Sequence, residues 1–392
     1  MHRDNWLKTE LDQIKQAGLQ RSLRSVMTAS TGRAVLDGRE VILLGSNNYL
    51  GLSTHPEVVK ASAEAVRRYG TGASGSRLIT GNCQLYSDLE VKITEAKSTE
   101  AALVFSSGYL ANIGTIPALV CEGDLILSDA LNHASLIDGC RLSKATTHVY
   151  RHCDLAHLGS LLAQSGKFRR RLIVTDGVFS MDGDIVPLPE ICNLAEAYDA
   201  MVMVDDAHSF GVLGRSGGGT VEHFGLEARE IIQMGTLSKA IGGLGGYVAG
   251  SQVLIDFLMN RARGFIFTTG LPPATLAGAA TAIDVMQTTP ELRQHLSSNA
   301  RQLKNALLGE GFPLLPSETQ ILPLILGSAK VVSQFAAALL AHGVYAPAIR
   351  PPTVPEGTSR LRLSVMASHT AEDLQSAIAG FVAAKSTLHT NS

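Results

Sequence analysis

Two residues of this chain, Lys239 and Asp205, could together bind one cofactor, an aldehyde of pyridine. Lys239 lies among small and hydroxyl residues in the segment 235–243, and Asp205 ends the apolar run 201–204. A lysine amine can form a Schiff base with an aldehyde, and an acid at the end of a buried strand can keep a pyridine nitrogen protonated. Together the two residues predict a site for pyridoxal 5'-phosphate (PLP), the cofactor that needs both groups.

A phosphate-binding segment is predicted at residues 106–112, which read Ser-Ser-Gly-Tyr-Leu-Ala-Asn. Its small residues follow an apolar strand and open a helix, whose free N–H groups and dipole attract a phosphate. Gly108 allows the backbone to approach closely. A plain strand-to-helix turn is the alternative, and the presence of Lys239 favours the phosphate.

Three further polar residues follow predicted strands. His133 offers a flat imidazole that could stack on an aromatic cofactor, although a surface or helix-capping role is the alternative. Ser180 could donate a hydrogen bond to a substrate carbonyl, while Asp182 is interpreted as part of a tight turn. His208 could bond the phenolic oxygen of the cofactor ring or pass a proton.

Neighbouring residues on one strand point to opposite faces, which bears on two charged pairs. Asp205 and Asp206 should therefore have different surroundings, and a buried carboxylate at either position needs a partner. Arg360 and Arg362, two residues apart, should share a face. Arginine grips a carboxylate through two parallel hydrogen bonds, which suits an amino-acid substrate; a solvated edge strand is the alternative.

The elements that must position these residues alternate along the chain between short apolar strands and helical segments. This order predicts a mostly parallel sheet with helices on both faces, with ligands at the carboxyl ends of the strands. We expect an N-terminal helix and arm over residues 1–44, a large domain over 45–285 and a smaller α+β C-terminal domain over 286–392. A long Ala-rich helix is expected at about 274–308 and a closing helix from about Ala371. Strands are predicted at residues 101–105, 125–128, 172–175, 201–205, 231–235, 246–250, 321–326 and 360–365.

Composition narrows the class of protein. The 392 residues carry a formal net charge of −2, which argues against nucleic acid as the main partner. Five scattered cysteines without a C-x-x-C pair predict a reducing cytoplasm and no metal site. Neither a secretory signal nor an apolar stretch long enough for a membrane span is recognised, so no membrane partner is expected.

Taken together, the motifs resemble those of the α-oxoamine synthase family, and the resemblance runs nearly from end to end. It implies PLP-dependent transferase fold type I and the condensation of an amino acid with an acyl thioester, carried by CoA or acyl carrier protein, with release of CO₂. Within the family, residues 348–355 favour the reaction that joins alanine to a pimeloyl thioester. The matching segments are residues 46–52, 71–77, 205–208, 236–239, 267–273 and 348–355.

The resemblance also implies roles for single residues. Lys239 is implied as the Schiff-base lysine, Asp205 as the partner of the pyridine nitrogen, and Ser180 as a neighbour of the cofactor and the acyl carbonyl. Thr269 is implied to reach the phosphate of a second subunit, hence a homodimer with shared sites. The remaining implied roles are stacking (His133), the phenolic oxygen (His208), phosphate binding (Gly108, Tyr109 and Thr236) and substrate binding (Arg21, Asn47, Thr353 and Arg362).

Several alternatives stay open. Other family members, namely glycine C-acetyltransferase, serine palmitoyltransferase and 5-aminolevulinate synthase, use different substrates. A PLP-dependent aminotransferase or β-lyase would use no thioester, and a non-enzymatic binding protein would hold the cofactor without turnover. Acyl-dependent release of CO₂ separates the first group from the other two.

Overall fold

The computed structural model describes residues 4–29 and 31–389, which form two compact units. The large unit comprises Asn48–Ser180 and Asp184–Gln294. The small unit comprises the chain up to Asn47, the short segment Met181–Gly183 and the chain from His295. The division into domains 1–44, 45–285 and 286–392 stays a prediction, and residues 1–3, 30 and 390–392 lie outside the described part.

A seven-stranded sheet is the centre of the large unit, in the order β3-β9-β8-β7-β6-β4-β5. Neighbouring strands from β8 to β5 run parallel, whereas β9 pairs antiparallel with both β8 and β3. The predicted mostly parallel sheet is therefore confirmed. Its strands are β3 Ala101–Phe105, β4 Leu125–Asp129, β5 Thr146–Tyr150, β6 Arg171–Asp176, β7 Met201–Asp205, β8 Ile231–Thr236 and β9 Gly246–Gly250.

Helices cover both faces of this sheet because its inner strands are apolar on both sides. Leu172 and Val174 of β6 belong to one hydrophobic core and Ile173 between them to another. Such strands can be buried only if each face has its own helices. The helices of this unit are α2 Pro56–Tyr69, α3 Gln84–Lys97, α4 Gly108–Leu119, α5 Ala134–Ser143, α6 Leu155–Ala163, α7 Leu188–Ala197, α8 Thr220–His223, α9 Gln252–Arg261, α10 Arg263–Ile266 and α11 Pro273–Thr288.

The small unit combines short sheets with helices. β13 lies between β10 and β12 and is buried along its whole length. Arg360 and Arg362 on this strand therefore do not belong to a solvated edge strand, which was the alternative interpretation. The elements are α1 Asn5–Gln16, β1 Arg33–Leu36, β2 Arg39–Leu43, α12 Glu291–Gly309, β10 Ile321–Gly327, α13 Ala329–Ala341, β11 Val344–Tyr345, β12 Ala348–Ile349, β13 Ser359–Ser364, α14 Ala371–Ala384 and α15 Ser386–His389.

One sequence expectation about helices was wrong. The single helix expected at 274–308 is interrupted, because α11 ends at Thr288 and α12 begins at Glu291 after Pro290. Proline has no N–H for the helical ladder and disfavours helix at the preceding residue, so the break falls there. The N-terminal helix, expected together with an arm, spans Asn5–Gln16. Within the described residues, every helix is too short or too polar to cross a bilayer.

Candidate active site

Asp205 is the last residue of β7, at the carboxyl edge of the large sheet. Its side chain is buried, and its two oxygens accept separate hydrogen bonds. The Ala207 backbone N–H donates to Oδ1 at 2.9 Å, and Asn112 Nδ2 donates to Oδ2 at 2.8 Å. Both oxygens therefore act as acceptors toward N–H groups, which is the role that a partner of a protonated pyridine nitrogen needs.

His133 lies after β4 at the same edge and caps the N-terminus of α5. The Ser135 N–H donates to His133 Nδ1 at 3.3 Å, and Ser135 Oγ lies 2.7 Å from the same nitrogen. The helix-capping alternative is thus realised through Nδ1. Part of the residue is exposed to solvent and open to stacking, whereas its Nδ1 edge is desolvated against Ser135.

Lys239 lies three residues after β8 and its residue is half-buried. Burial lowers the pKa of His133, the charge of Asp205 opposes this shift, and the charge of Lys239 adds to it. The pKa of Asp176 is raised, first by burial and then by the charge of Asp205. The charge of Lys239 opposes this rise. The structure therefore brings Lys239, Asp205 and His133 into one neighbourhood, although they are far apart in sequence.

The start of α4 forms a close-packed cradle beside β8 and β9. The Ser107 hydroxyl accepts from the Leu110 N–H, which leaves the N–H groups of Gly108 and Tyr109 at the open end of the helix. A Cβ on Gly108 would lie 3.3 Å from Thr236 Cβ, and a Cβ on Gly246 would lie 2.5 Å from the Gly108 nitrogen. A side chain on Gly246 would therefore collide with the backbone at the start of α4. The N–H groups at this end of the helix form a donor set that fits a phosphate.

These residues fit PLP at three points: an attachment amine (Lys239), a buried carboxylate for the ring nitrogen (Asp205) and a helix N-terminus for the phosphate. Thr236 adjoins the cradle, but its hydroxyl donates to the Gly245 carbonyl at 2.8 Å and lies 2.8 Å from Ser238 Oγ. The exposed Ser238 hydroxyl could donate to a phosphate here, a role that the sequence analysis did not consider.

The other predicted residues of the large unit lie near strand ends. Buried His208 follows β7, and its Nδ1 lies 2.7 Å from the Tyr49 hydroxyl. Ser180 follows β6 and is half-buried. The Tyr109 hydroxyl donates to Asp138, so its backbone rather than its phenol faces the cradle. The Thr269 carbonyl accepts from Ser106 Oγ of the same chain at 3.0 Å, and its residue is exposed.

In the small unit, the structure pairs the predicted substrate residues two by two. Arg362 is buried and donates to Asn47 Oδ1 at 3.1 Å. Arg21 and Thr353 line one cavity of about 150 Å³. Arg360 donates to Asp182 Oδ1 at 2.5 Å. This contact supports the interpretation of Asp182 as part of the structure, and it gives the Arg360 guanidinium a partner within the protein.

Sequence reasoning missed several residues of the large unit. Asn112 and Asp176 lie in segments that contain predicted site residues. No spacing rule distinguishes a residue that supports a site residue from an ordinary polar residue. The Asp206 carboxylate pairs with Lys97 Nζ at 2.5 Å, and both side chains are fully enclosed. Lys97 ends α3, and only the folded chain brings it to Asp206.

A histidine between two acids also escaped the sequence analysis. His152 Nδ1 lies 2.9 Å from Asp129 Oδ1, and its Nε2 lies 2.8 Å from Asp184 Oδ2. Burial opposes protonation, but the two carboxylates prevail and raise the pKa of His152 to about 12. Asp129, His152 and Cys153 lie close enough for a metal, yet a doubly protonated ring has no lone pair to offer.

The chain matches the aminotransferase class I and II family over residues 39–381. It belongs to this family. It is 52% identical to 8-amino-7-oxononanoate synthase of Geobacter sulfurreducens, over 94% of the chain and 95% of that relative. It is 48% identical to 8-amino-7-oxononanoate synthase 2 of Bacillus subtilis, over 98% of the chain and 99% of that relative.

Solved structures agree with this family assignment. A serine palmitoyltransferase from S. paucimobilis with a bound PLP–myriocin aldimine has a TM-score of 0.94 and 34% identity, over 99% of this chain and 98% of that one. The 8-amino-7-oxononanoate synthase of Francisella tularensis has a TM-score of 0.76 and 26% identity, over 89% of this chain and 98% of that one. The predicted α-oxoamine synthase family, PLP-dependent fold type I and PLP cofactor are confirmed.

Proposed function

We propose that this protein catalyses the condensation of L-alanine with a pimeloyl thioester, with loss of CO₂, to give 8-amino-7-oxononanoate for biotin biosynthesis. The carrier of the pimeloyl group is CoA or acyl carrier protein. The observation that carries the proposal is the grouping of Lys239, Asp205 and His133 at one sheet edge, beside the cradle at the start of α4. The similarity to 8-amino-7-oxononanoate synthases extends over nearly the full length of the chain, and it supports the choice of substrates.

The residues of the large unit have separate tasks in this proposal. PLP, when bound, supplies an electron sink for the pair released at the substrate α-carbon. Asp205 holds the proton on the pyridine nitrogen, and the start of α4 binds the phosphate. Lys239 is the attachment amine and moves the proton at the α-carbon, because an uncharged lysine amine can serve as a general base.

His133 covers the ring in this proposal, and His208, held by Tyr49, serves the phenolic oxygen. Ser180 donates to the acyl carbonyl. In the small unit, Arg362 is proposed as the ligand of the amino-acid carboxylate, because its guanidinium is buried and already oriented by Asn47. Arg21 and Thr353 are proposed as substrate ligands because they share a cavity.

A panel of substrates tests the proposed reaction. Alanine, glycine and serine are each combined with acetyl-, pimeloyl- and palmitoyl-CoA, and CO₂ and free thiol are measured. We expect alanine with pimeloyl-CoA to give the highest kcat/KM. Lys239→Ala should lose both turnover and the visible absorbance of the lysine-bound cofactor. Retention of that absorbance by the variant would show that another lysine holds PLP.

Transfer of a palmitoyl group to serine is a second candidate, because the backbone superimposes on serine palmitoyltransferases with a TM-score of 0.94. The same panel separates it from the first. A preference for serine and palmitoyl-CoA would replace the proposed substrates while leaving the PLP site unchanged.

We also propose a cytoplasmic homodimer with shared sites. Ser76 and Thr269 form an isolated antiparallel bridge, and the nearby side chains of Ile79 and Phe267 are 79% and 70% exposed. Exposed apolar side chains around the predicted intersubunit residue Thr269 fit a subunit interface. Sedimentation should show a dimer that Ile79→Glu weakens, whereas Val253→Glu, at another exposed position, should leave it unchanged. A wild-type monomer would contradict the proposal.

A further inference from the structure

A chain of hydrogen bonds connects His133 to Asp205 through two buried side chains. Ser135 Oγ lies 2.7 Å from His133 Nδ1, and Asn112 Nδ2 donates to Ser135 Oγ at 2.8 Å. The same amide nitrogen donates to Asp205 Oδ2 at 2.8 Å. Asn112, Ser135 and Asp205 are each at most 2% exposed, so water does not compete with these bonds.

The hydrogen bonds of this chain have one consistent direction. The Ser135 backbone N–H points at His133 Nδ1, so that nitrogen is an acceptor and the Ser135 hydroxyl also donates to it. Ser135 Oγ therefore accepts from Asn112, whose amide has two hydrogens, one for Ser135 and one for Asp205. The reversed amide would place its oxygen against the Asp205 carboxylate, where two acceptors repel.

We propose that Asn112 and Ser135 are positioning residues that hold His133 as the neutral Nε2–H tautomer and fix the Asp205 carboxylate for the pyridine nitrogen. The inference deepens the proposed function, because it concerns the same PLP site. Its consequence is that one chain of hydrogen bonds, called the relay below, orients both His133 above the ring and Asp205 at its edge. Neither Asn112 nor Ser135 is itself required to touch the cofactor.

The surroundings of His133 agree with a neutral ring. Burial lowers its pKa, and among the charged groups that face it Lys239 adds to this effect, while Asp205 and Asp138 oppose it. The Asp176 carboxylate accepts from the His133 backbone N–H at 2.7 Å and fixes the main chain at this point. Donors on Nδ1 stabilise the uncharged imidazole, because the charged form would need that nitrogen for its own proton.

The chain contains a matched control for the relay. Ser128 is also a buried serine at the end of β4, and Asn132 Nδ2 donates to its Oγ at 2.9 Å. This pair repeats the Ser135–Asn112 contact, but its other hydrogen bonds go to the Val174 and Asp129 carbonyls. Ser128→Ala therefore removes a comparable hydrogen bond outside the relay.

The test measures how fast the purified holoenzyme releases PLP, in the wild type and in a His133→Phe background. Ser135→Ala should accelerate release about threefold to tenfold in the wild type, the effect of one net hydrogen bond. In the His133→Phe background its effect should fall below about twofold, since Ser135 acts through His133. Asn112→Ala should remain effective in both backgrounds because it also removes a donor from Asp205.

Specific outcomes overturn the inference. An equal effect of Ser135→Ala in both backgrounds, or an equal effect of Ser128→Ala, would show that no relay reaches His133. If Ser135→Ala does not fold, loss of the Asn112→Ala effect in the His133→Phe background would contradict the link to Asp205. A wild-type protein that binds no PLP would contradict the proposed function instead, so the two failures are distinguishable.

Discussion

Two aspartates face each other in register at the carboxyl ends of neighbouring strands, yet their surroundings differ. Asp176 ends β6 and Asp205 ends β7, and the two residues are paired in the parallel ladder. Asp205 accepts two N–H bonds, from Asn112 and from Ala207. Asp176 accepts the His133 N–H, and complete burial followed by the charge of Asp205 holds the pKa of its carboxyl well above the usual range.

This comparison shows how a site can place one negative charge where two carboxyl groups are available. Two ionised acids side by side repel, and the pKa of Asp176 is raised accordingly. Asp205, the residue proposed to serve the pyridine nitrogen, accepts from more N–H donors. Asp206, the next residue, differs from both, because it pairs with a lysine and also accepts the Thr220 N–H.

Asp205→Asn should have the largest effect on activity. The amide keeps the shape but cannot hold a proton on the ring nitrogen, so we expect kcat to fall about 100-fold or more. The circular dichroism spectrum and thermal midpoint should stay close to the wild type. A variant with nearly normal kcat would show that the charge resides elsewhere, with Asp176 the first candidate.

Lys97→Met should have the largest effect on stability. It leaves the Asp206 carboxylate enclosed without its cationic partner, which typically costs about 3–5 kcal/mol. Denaturant unfolding of the PLP-free protein measures this change. The double variant Lys97→Met with Asp206→Asn should recover part of the loss, and no recovery would mean that packing of the lysine stem dominates.

Asp176→Asn should change activity less than about tenfold, because the raised pKa of this acid favours the uncharged form that the amide resembles. A raised pKa stabilises the fold below the usual value of the acid, and this contribution is lost as the pH rises through the folded-state value. The wild type should therefore lose more stability than Asp176→Asn as the pH rises above the ordinary pKa of an aspartic acid. Parallel pH profiles in denaturant would contradict a protonated Asp176.

His152→Gln should have the smallest effect, confined to the pH dependence of stability. The folded-state pKa of about 12 exceeds the ordinary 6.5, so the contribution is complete below about pH 6.5 and declines as the pH rises toward about 12. The difference in denaturant midpoint between wild type and variant should thus be larger at about pH 6 than at about pH 9. A constant difference would mean that the ring acts through packing on Phe179 alone.

Much of the fold and the centre of the candidate site could be predicted from local signals. The strands at Ala101–Phe105, Met201–Asp205 and Gly246–Gly250 have the predicted bounds, because apolar runs between polar turns mark buried strands. The helix break at Pro290 was missed although proline marks it. The surrounding Ala and Leu residues favour helix on both sides, so the pattern looked continuous.

The partners of the site residues could not be predicted in this way. Asn112 and Asp205 are 93 residues apart, and Lys97 and Asp206 are 109 apart. Their side chains are ordinary polar types with no characteristic spacing. Which of them meet depends on the order of strands in the sheet and on which helix covers which face.

The sequence by itself determined where the chemically capable groups stand along the chain: an amine after one apolar strand, an acid at the end of another and glycines at the start of a helix. The tertiary structure alone decided which carboxyl keeps its charge, which tautomer the imidazole takes and what surrounds each acid. The reason is physical: residue type and strand pattern act over a few neighbours, whereas ionisation depends on every donor, charge and buried wall that folding brings within a few ångströms.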